Sequence, residues 1–421
     1  MPAAEGTPLH RSKAWTRFGG ITIVVAIVVT LASSAAAGRA LFGHRGGAAG
    51  YAGRVTAGAT GRVTAGAPAG AAALRSAAAA ALPRLSSAQL AGQRVIYSYR
   101  GLTPPASLLW RIRHGEAAGV IFFSQNIASR AQIKSVVSRL ERANASRLNP
   151  VREPLLLMTD QEGGAVRRLP GAPVLSEKQI GQTAHPPVTA KAEGTAAGRN
   201  LRGAGMNVNL APVLDVYRTP GNFIDEFGRS YSNHAHTVSY LGADFIAAQQ
   251  AAGVAATAKH FPGLGAAARS QDTDIRPVTL RQSLRSVRTV DEAPYPAAIA
   301  AGVRLIMVSW ATYPALDRHR PAGLSSAIVG GELRKRLGFR GVTITDALEA
   351  GALRAYGSTA NRSVLAAGAG MDLLLCSQQQ VAQGSAARGA LEAAYLGGKL
   401  NQAAFKAAVQ RIIGLRTSLR R

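Results

Sequence analysis

Eight short apolar runs punctuate the chain: residues 95–99, 119–123, 155–159, 207–211, 254–258, 305–309, 342–345 and 371–376. Each is short and carries β-branched, Leu or small apolar residues. That is the pattern of a strand buried on both faces of a parallel sheet. Between several runs the period changes to that of a helix. Ile133, Val136, Val137 and Leu140 share one helical face behind Ser129-x-x-Gln132, a capping-box spacing. Val238, Leu241, Phe245 and Ile246 make a second face, stopped by Gly253. Residues 328–337 supply a third, ended by Gly338. Strand then helix, repeated about eight times, predicts an α/β fold, a (β/α)8 TIM barrel forming a single catalytic domain over residues 85–421. A doubly wound open sheet is the alternative. It lacks support because no Gly-x-Gly-x-x-Gly loop follows the first run.

Upstream the pattern differs. Arg11, Lys13 and Arg17 precede a dense apolar run at residues 21–31, and small residues follow to Ala37. A basic flank, an apolar stretch and an Ala-x-Ala-like end match a secretory signal. Extended through the alanines, the stretch also reaches the length of about 20 residues that one membrane anchor needs. Both readings of residues 1–37 export the rest of the chain. Residues 38–84 are rich in Gly, Ala and Arg and repeat Gly-Arg-Val-Thr-Ala-Gly-Ala at 53–59 and 61–67. Nothing there can build a core, so the segment is expected to be a disordered linker.

Composition narrows the picture in two places. The formal charge of +27 invites a nucleic-acid or polyanion reading. No basic run is interleaved with aromatics, so the excess reads as a composition bias and no specific nucleic-acid partner is expected. The single cysteine, Cys376, excludes an internal disulfide and a cysteine-built zinc site. It lies in an apolar run and reads as a core residue. No cofactor and no metal are implied.

In a barrel of this kind, chemistry collects where strands run out into their following loops. The third run ends in Asp160-Gln161-Glu162-Gly163-Gly164, the fourth leads to Asp215, the fifth ends in Lys259-His260, and the seventh in Asp346. Arg229 follows the fourth. Carboxylates accept hydrogen bonds from sugar hydroxyls, and Lys and Arg donate to sugar oxygens. The set suits a polyhydroxylated neutral ligand. Each residue also has a plain structural reading. Asp346 could cap a helix, Asp160 could serve a turn, and His260 could be a satisfied core histidine.

Several motifs, in order, resemble glycoside hydrolase family 3 of the β-N-acetylhexosaminidase type. They are Gly119-Val120-Ile121-Phe122-Phe123, Asp160-Gln161-Glu162-Gly163-Gly164 with Arg168-Leu169, Asn209-Leu210-Ala211-Pro212-Val213-Leu214-Asp215-Val216 and Lys259-His260-Phe261-Pro262-Gly263. Leu337-Gly338-Phe339-Arg340-Gly341-Val342 and Thr345-Asp346 complete the series. The resemblance covers roughly residues 85–416 and implies a (β/α)8 barrel and a retaining glycosidase. It implies Asp346 as nucleophile, with Asp160, Arg229, Lys259 and His260 holding the terminal sugar. Arg168 is expected to support the Asp160 loop through an ion pair, Glu162 to organise it, and Asp215 to anchor its own loop. The chain ends soon after residues 411–415, so the barrel alone is expected to build the site.

One loop departs from the family. There, Lys-His-Phe-Pro-Gly-His-Gly leads to an Asp-Ser-His triplet whose His, oriented by its Asp, is the general acid/base. Here Leu264 replaces the first loop His, Ser270-Gln271-Asp272 stands at the triplet, and no His occurs between His260 and His319. The loop dyad is absent. Asp272 or Asp274 is the candidate acid/base, since a desolvated carboxylic acid can do this work, and a mobile loop is expected to bring it in. The reading is a retaining β-glycosidase acting on terminal β-linked sugars, N-acetylglucosaminides first, with peptidoglycan-derived glycan a fitting source. The alternatives are a membrane-tethered glycan-binding protein without turnover and a β-glucosidase. A phosphorylase is disfavoured, since a carboxylate acid/base would repel phosphate.

Overall fold

Alternation along each strand builds the molecule. In β3 (Leu156–Thr159) and β6 (Leu305–Val308), Leu156, Met158, Leu305 and Met307 point to the inside, while Leu157, Ile306 and Val308 join the layer outside. Both faces are covered, which is why these segments read as unbroken apolar runs. The computed structural model describes residues 82–420. The other barrel strands are β1 (Val95–Tyr97), β2 (Gly119–Ile121), β4 (Val208–Asn209), β5 (Ala255–Phe261), β7 (Val342–Ala347) and β8 (Leu373–Leu375). Each pairs in parallel with its sequence neighbours, and β1 pairs with β8 to close the barrel. All eight expected strands are present, and the fold is a (β/α)8 barrel.

The interior is filled rather than hollow. Ile96, Ile121, Val208, Ala255, Val342, Ile344, Leu373 and Leu375 meet in one buried cluster. Ile412 and Leu415, from the helix Gln402–Ser418, join the same cluster. The outer layer is made by amphipathic helices. Arg130–Asn144 buries Ile133, Val136, Val137 and Leu140. Its Ser129 cap accepts the Gln132 N–H, but Gln132 returns its bond to Ala128 rather than to Ser129, so only half of the expected box forms. Ala235–Ala251 buries the expected Val238, Leu241, Phe245 and Ile246. The third expected helix, Ala327–Arg336, is wound as a π-helix. Its wider turn keeps Ile328 and Leu333, five residues apart, on the core side. Cys376 is fully buried in the outer core.

Ion pairs fasten the closed end. Asp372, fully buried, pairs with Arg334 and with Arg411 at 2.7 Å and accepts the Thr343 N–H at 2.9 Å. Among the described residues no helix is long and apolar enough to cross a membrane. The export segment at residues 1–37 and most of the linker at residues 38–84 lie outside the described residues.

Candidate active site

A cavity of about 680 Å³ opens at the strand ends. The inward parity of each strand, carried one step further, decides what lines it. Ile121 leads to Phe123, Met158 to Asp160, Ile344 to Asp346 and Leu375 to Ser377, and all four of these second residues face the cavity. Strand β5 breaks the rule. Its register against β6 shifts between Ala258 and Phe261, and the consecutive Lys259 and His260 both line the cavity.

The floor is a charge network. The Lys259 ammonium, 2% exposed, lies 2.7 Å from Asp160 and 2.8 Å from Glu162. Arg229 grips Glu162 with two bonds of 2.9 Å. Burial alone would raise the Glu162 carboxyl, but Arg229 and Lys259 outweigh it and hold it at about 2. Glu162 therefore stays anionic and organises the floor, while Asp160, the more open of the pair, turns toward the cavity. Behind them Glu177 is buried and accepts the Val213 N–H at 2.8 Å. Desolvation and the neighbouring Glu162 push its carboxyl well up.

His260 is fixed from both sides. Its Nδ1 lies 2.7 Å from Asp215 and its Nε2 3.4 Å from the Arg229 guanidinium. A carboxylate only accepts and a guanidinium only donates, so Nδ1 carries the proton and Nε2 the lone pair. Asp215 also accepts the N–H groups of His260 at 3.2 Å and Leu264 at 2.7 Å, which anchors the turn after β5. The site therefore contains a His–Asp pair after all, built from β5 and the loop after β4 instead of the downstream loop. Sequence reasoning missed it because its members are 45 residues apart. Arg168 differs from expectation. Its N–H donates to the Asp160 carbonyl at 3.3 Å, but its guanidinium makes no ion pair with Asp160, whose carboxylate is taken by Lys259.

The opposite wall is acidic. Asp346 lies at the end of β7, and one of its oxygens accepts the Ala347 N–H at 2.8 Å. Asp272 and Asp274 both reach the cavity. Their roles separate. Asp272 spends a carboxylate oxygen on the Asp274 N–H, at 2.8 Å, to hold the turn. No group among the described residues hydrogen-bonds the Asp274 carboxyl. Desolvation, then the Asp346 and Asp272 carboxylates, push it up to about 7. Asp274 is open to the cavity mouth, so water there softens the burial effect; the repulsion from two carboxylates acts in the same direction. Glu349, not singled out in the sequence, also lines this wall and is held by Ser377 at 2.7 Å and Gln383 at 2.8 Å. Phe223 and Phe227 make an apolar side, with Phe227 half-exposed. Among the described residues no cluster of His, Cys, Asp and Glu is placed to hold a metal ion.

Residues 103–415 match the family model for the glycosyl hydrolase family 3 N-terminal domain. The chain belongs to glycoside hydrolase family 3. It is similar to an uncharacterized secreted glycosyl hydrolase of Arthroderma benhamiae, at 45% identity over 78% of this chain and 93% of that one. It is also similar to a solved family 3 β-N-acetylglucosaminidase from Paenibacillus sp., with TM-score 0.75 and 34% identity, covering 80% of this chain and 63% of that one. A β-N-acetylhexosaminidase from Beutenbergia cavernae superposes with TM-score 0.71 and 30% identity, covering 79% of this chain and 98% of that one. Family 3 membership and the cavity's carboxylates make the chain a glycoside hydrolase.

Proposed function

We infer that this family 3 barrel is a retaining β-glycosidase that releases terminal β-linked N-acetylglucosamine. Two solved proteins similar over about four-fifths of this chain carry β-N-acetylglucosaminidase or β-N-acetylhexosaminidase names. The observation that carries the mechanism is the division of one cavity into a cation-paired floor and an acidic wall. Asp160, Lys259, Arg229 and His260 hold the hydroxyls of the terminal sugar. Asp346 attacks the anomeric carbon, and Asp274 gives its proton to the glycosidic oxygen, so the aglycone leaves as an alcohol. Asp274, now a carboxylate, takes a proton from water. That water attacks the same carbon and releases Asp346 and the sugar.

The resemblance to a secreted hydrolase supports export, and residues 1–37 supply the signal or anchor. Peptidoglycan-derived glycan is the substrate source that an exported enzyme of this type meets. Aryl β-N-acetylglucosaminide hydrolysis tests the activity. Asp346→Asn abolishes turnover while the melting curve stays that of the wild type. Hydrolysis of aryl β-glucosides alone would shift the reading to a β-glucosidase. Glycan binding without product would make it a binding protein.

A further inference from the structure

The acid, Asp274, sits on a long loop after β5, and the nucleophile, Asp346, on the next strand but one. Nothing in their side-chain hydrogen bonds sets the gap between them. Five residues past Asp346, however, the chain starts a 3₁₀ turn, Gly351–Tyr356, whose cap Ala350 offers no side-chain acceptor. The first N–H groups of such a turn need partners. The acid loop provides them. The Gly351 N–H donates to the Asp274 carbonyl at 2.7 Å, and the Ala352 N–H to the Thr273 carbonyl at 3.0 Å. A Cβ at Gly351 would lie 2.1 Å from the Ile275 oxygen, 2.3 Å from its carbonyl carbon and 2.9 Å from the Asp274 oxygen. All three are backbone atoms that cannot swing aside.

We propose that Gly351 is a positioning residue that staples the Asp274 segment to the nucleophile loop and sets the acid against Asp346. The inference rests on the roles assigned above to these two carboxylates. The nucleophile side of the staple is itself fixed. Leu348 N–H donates to Leu375 at 3.1 Å, Ala350 N–H to Ala347 at 3.1 Å, and Glu349 is held by Ser377 and Gln383. The far end of the acid loop is fastened too. The Gly265 carbonyl accepts from Arg218 N–H at 2.9 Å and from the Asn222 side chain at 2.8 Å, and Arg269 pairs with Glu226 at 2.8 Å. The acid loop is thus fastened at both ends, at Gly265 and at the Gly351 turn.

Gly351→Ala tests this. An ordinary contact needs 3.4–4 Å, so the acid segment must retreat by more than about 1 Å, a displacement that can cost roughly 10²-fold in rate. The clash lies beside the exposed Ile275, but Ala350, Ala352 and Leu353 around Gly351 belong to the outer core, so the variant's melting curve is read beside its kinetics. On N,N′-diacetylchitobiose, whose leaving group needs a proton, kcat/KM falls about 10²-fold. On a 2,4-dinitrophenyl β-N-acetylglucosaminide, whose leaving group does not, it falls by less than about threefold. The alkaline limb of kcat/KM moves to lower pH, because an acid drawn away from Asp346 ionises more easily. In an Asp274→Asn background the substitution adds nothing further. Equal losses on both substrates, an unmoved pH limb or additive losses each overturn the proposal. Hydrogen exchange on the wild type decides it independently of the variant. The Gly351 and Ala352 amides must be protected, and exchange at open-turn rates overturns the staple. A wild type inactive on both substrates would instead sink the N-acetylglucosaminidase reading, and the exchange result would still stand.

Discussion

Replacing Lys259 by methionine measures how the floor of the site is held. Methionine keeps most of the buried stem and removes only the cation that lies 2.7 Å from Asp160 and 2.8 Å from Glu162. At an effective dielectric of about 20, each contact is worth about 6 kcal/mol gross. Most of that is offset by the desolvation of the ammonium, which the variant recovers. What remains is the cost of leaving buried carboxylates without a partner, about 3–5 kcal/mol. The low end applies, because Glu162 keeps both bonds to Arg229 and Asp160 can reach water at the cavity. Urea unfolding should show a loss of about 3 kcal/mol at neutral pH, and Asp160→Asn in the Lys259→Met background should return part of it. The pH dependence has a defined sign. Glu162 is depressed to about 2 from 4.5, so its pairing stabilises the fold fully above about pH 5 and less as the pH falls through its folded value. Lys259→Met forfeits part of that depression, so the gap between variant and wild type narrows as the pH drops from about 5 toward 3. A loss under about 1 kcal/mol, or a gap constant over that range, refutes the network as drawn.

Other outcomes follow from the same geometry. Asp274→Asn should slow cleavage of glycosides with poor leaving groups by about 10²–10⁴-fold and remove the fall in kcat/KM above about pH 7, read from pH–rate profiles; Asp272→Asn, whose carboxylate serves the turn, should act mainly through a lowered pH limb. Asp372→Ala leaves Arg334 and Arg411 without their buried carboxylate and should destabilise the barrel by about 3–5 kcal/mol in urea unfolding, with kcat/KM unchanged in what remains folded.

The strands were legible because a parallel barrel buries both faces, and Val, Ile and Leu announce that without help from distant residues. The inward parity that carries Met158 to Asp160 and Ile344 to Asp346 is equally local, so these positions could be read from the strand ends. Pairings across the barrel could not. Lys259 reaches Asp160 over 99 residues and His260 reaches Asp215 over 45, through a register shift in β5 that no propensity signals. The ion pair expected for Arg168 failed for the same reason, since a nearer cation from another strand claimed the carboxylate. Gly351 carried no sequence mark at all. Its importance arises from a loop that packs on it from about 75 residues upstream.

Charge is sorted within the cavity, and the sorting supports the proposal that a carboxylate donates the proton where the family pattern has histidine. Asp160 and Glu162 meet Lys259 and Arg229, and the two cations hold Glu162 ionised against its burial. Asp274 is desolvated and meets Asp346, Asp272 and Glu349, which together outweigh the Arg229 guanidinium. Carboxylates of the same intrinsic strength are thus driven to opposite states by which wall they occupy. A histidine needs no such help to titrate near neutrality, whereas an aspartic acid needs burial, neighbouring negative charge or both. With Asp274 as the proposed proton donor, burial raises its carboxyl most, and closeness to the nucleophile adds to it, because the Asp346 charge is part of what keeps it protonated. On that proposal the loop's fastening at Gly265, Arg269 and Gly351 serves the chemistry as well as the fold, and loosening it should cost proton donation before it costs stability.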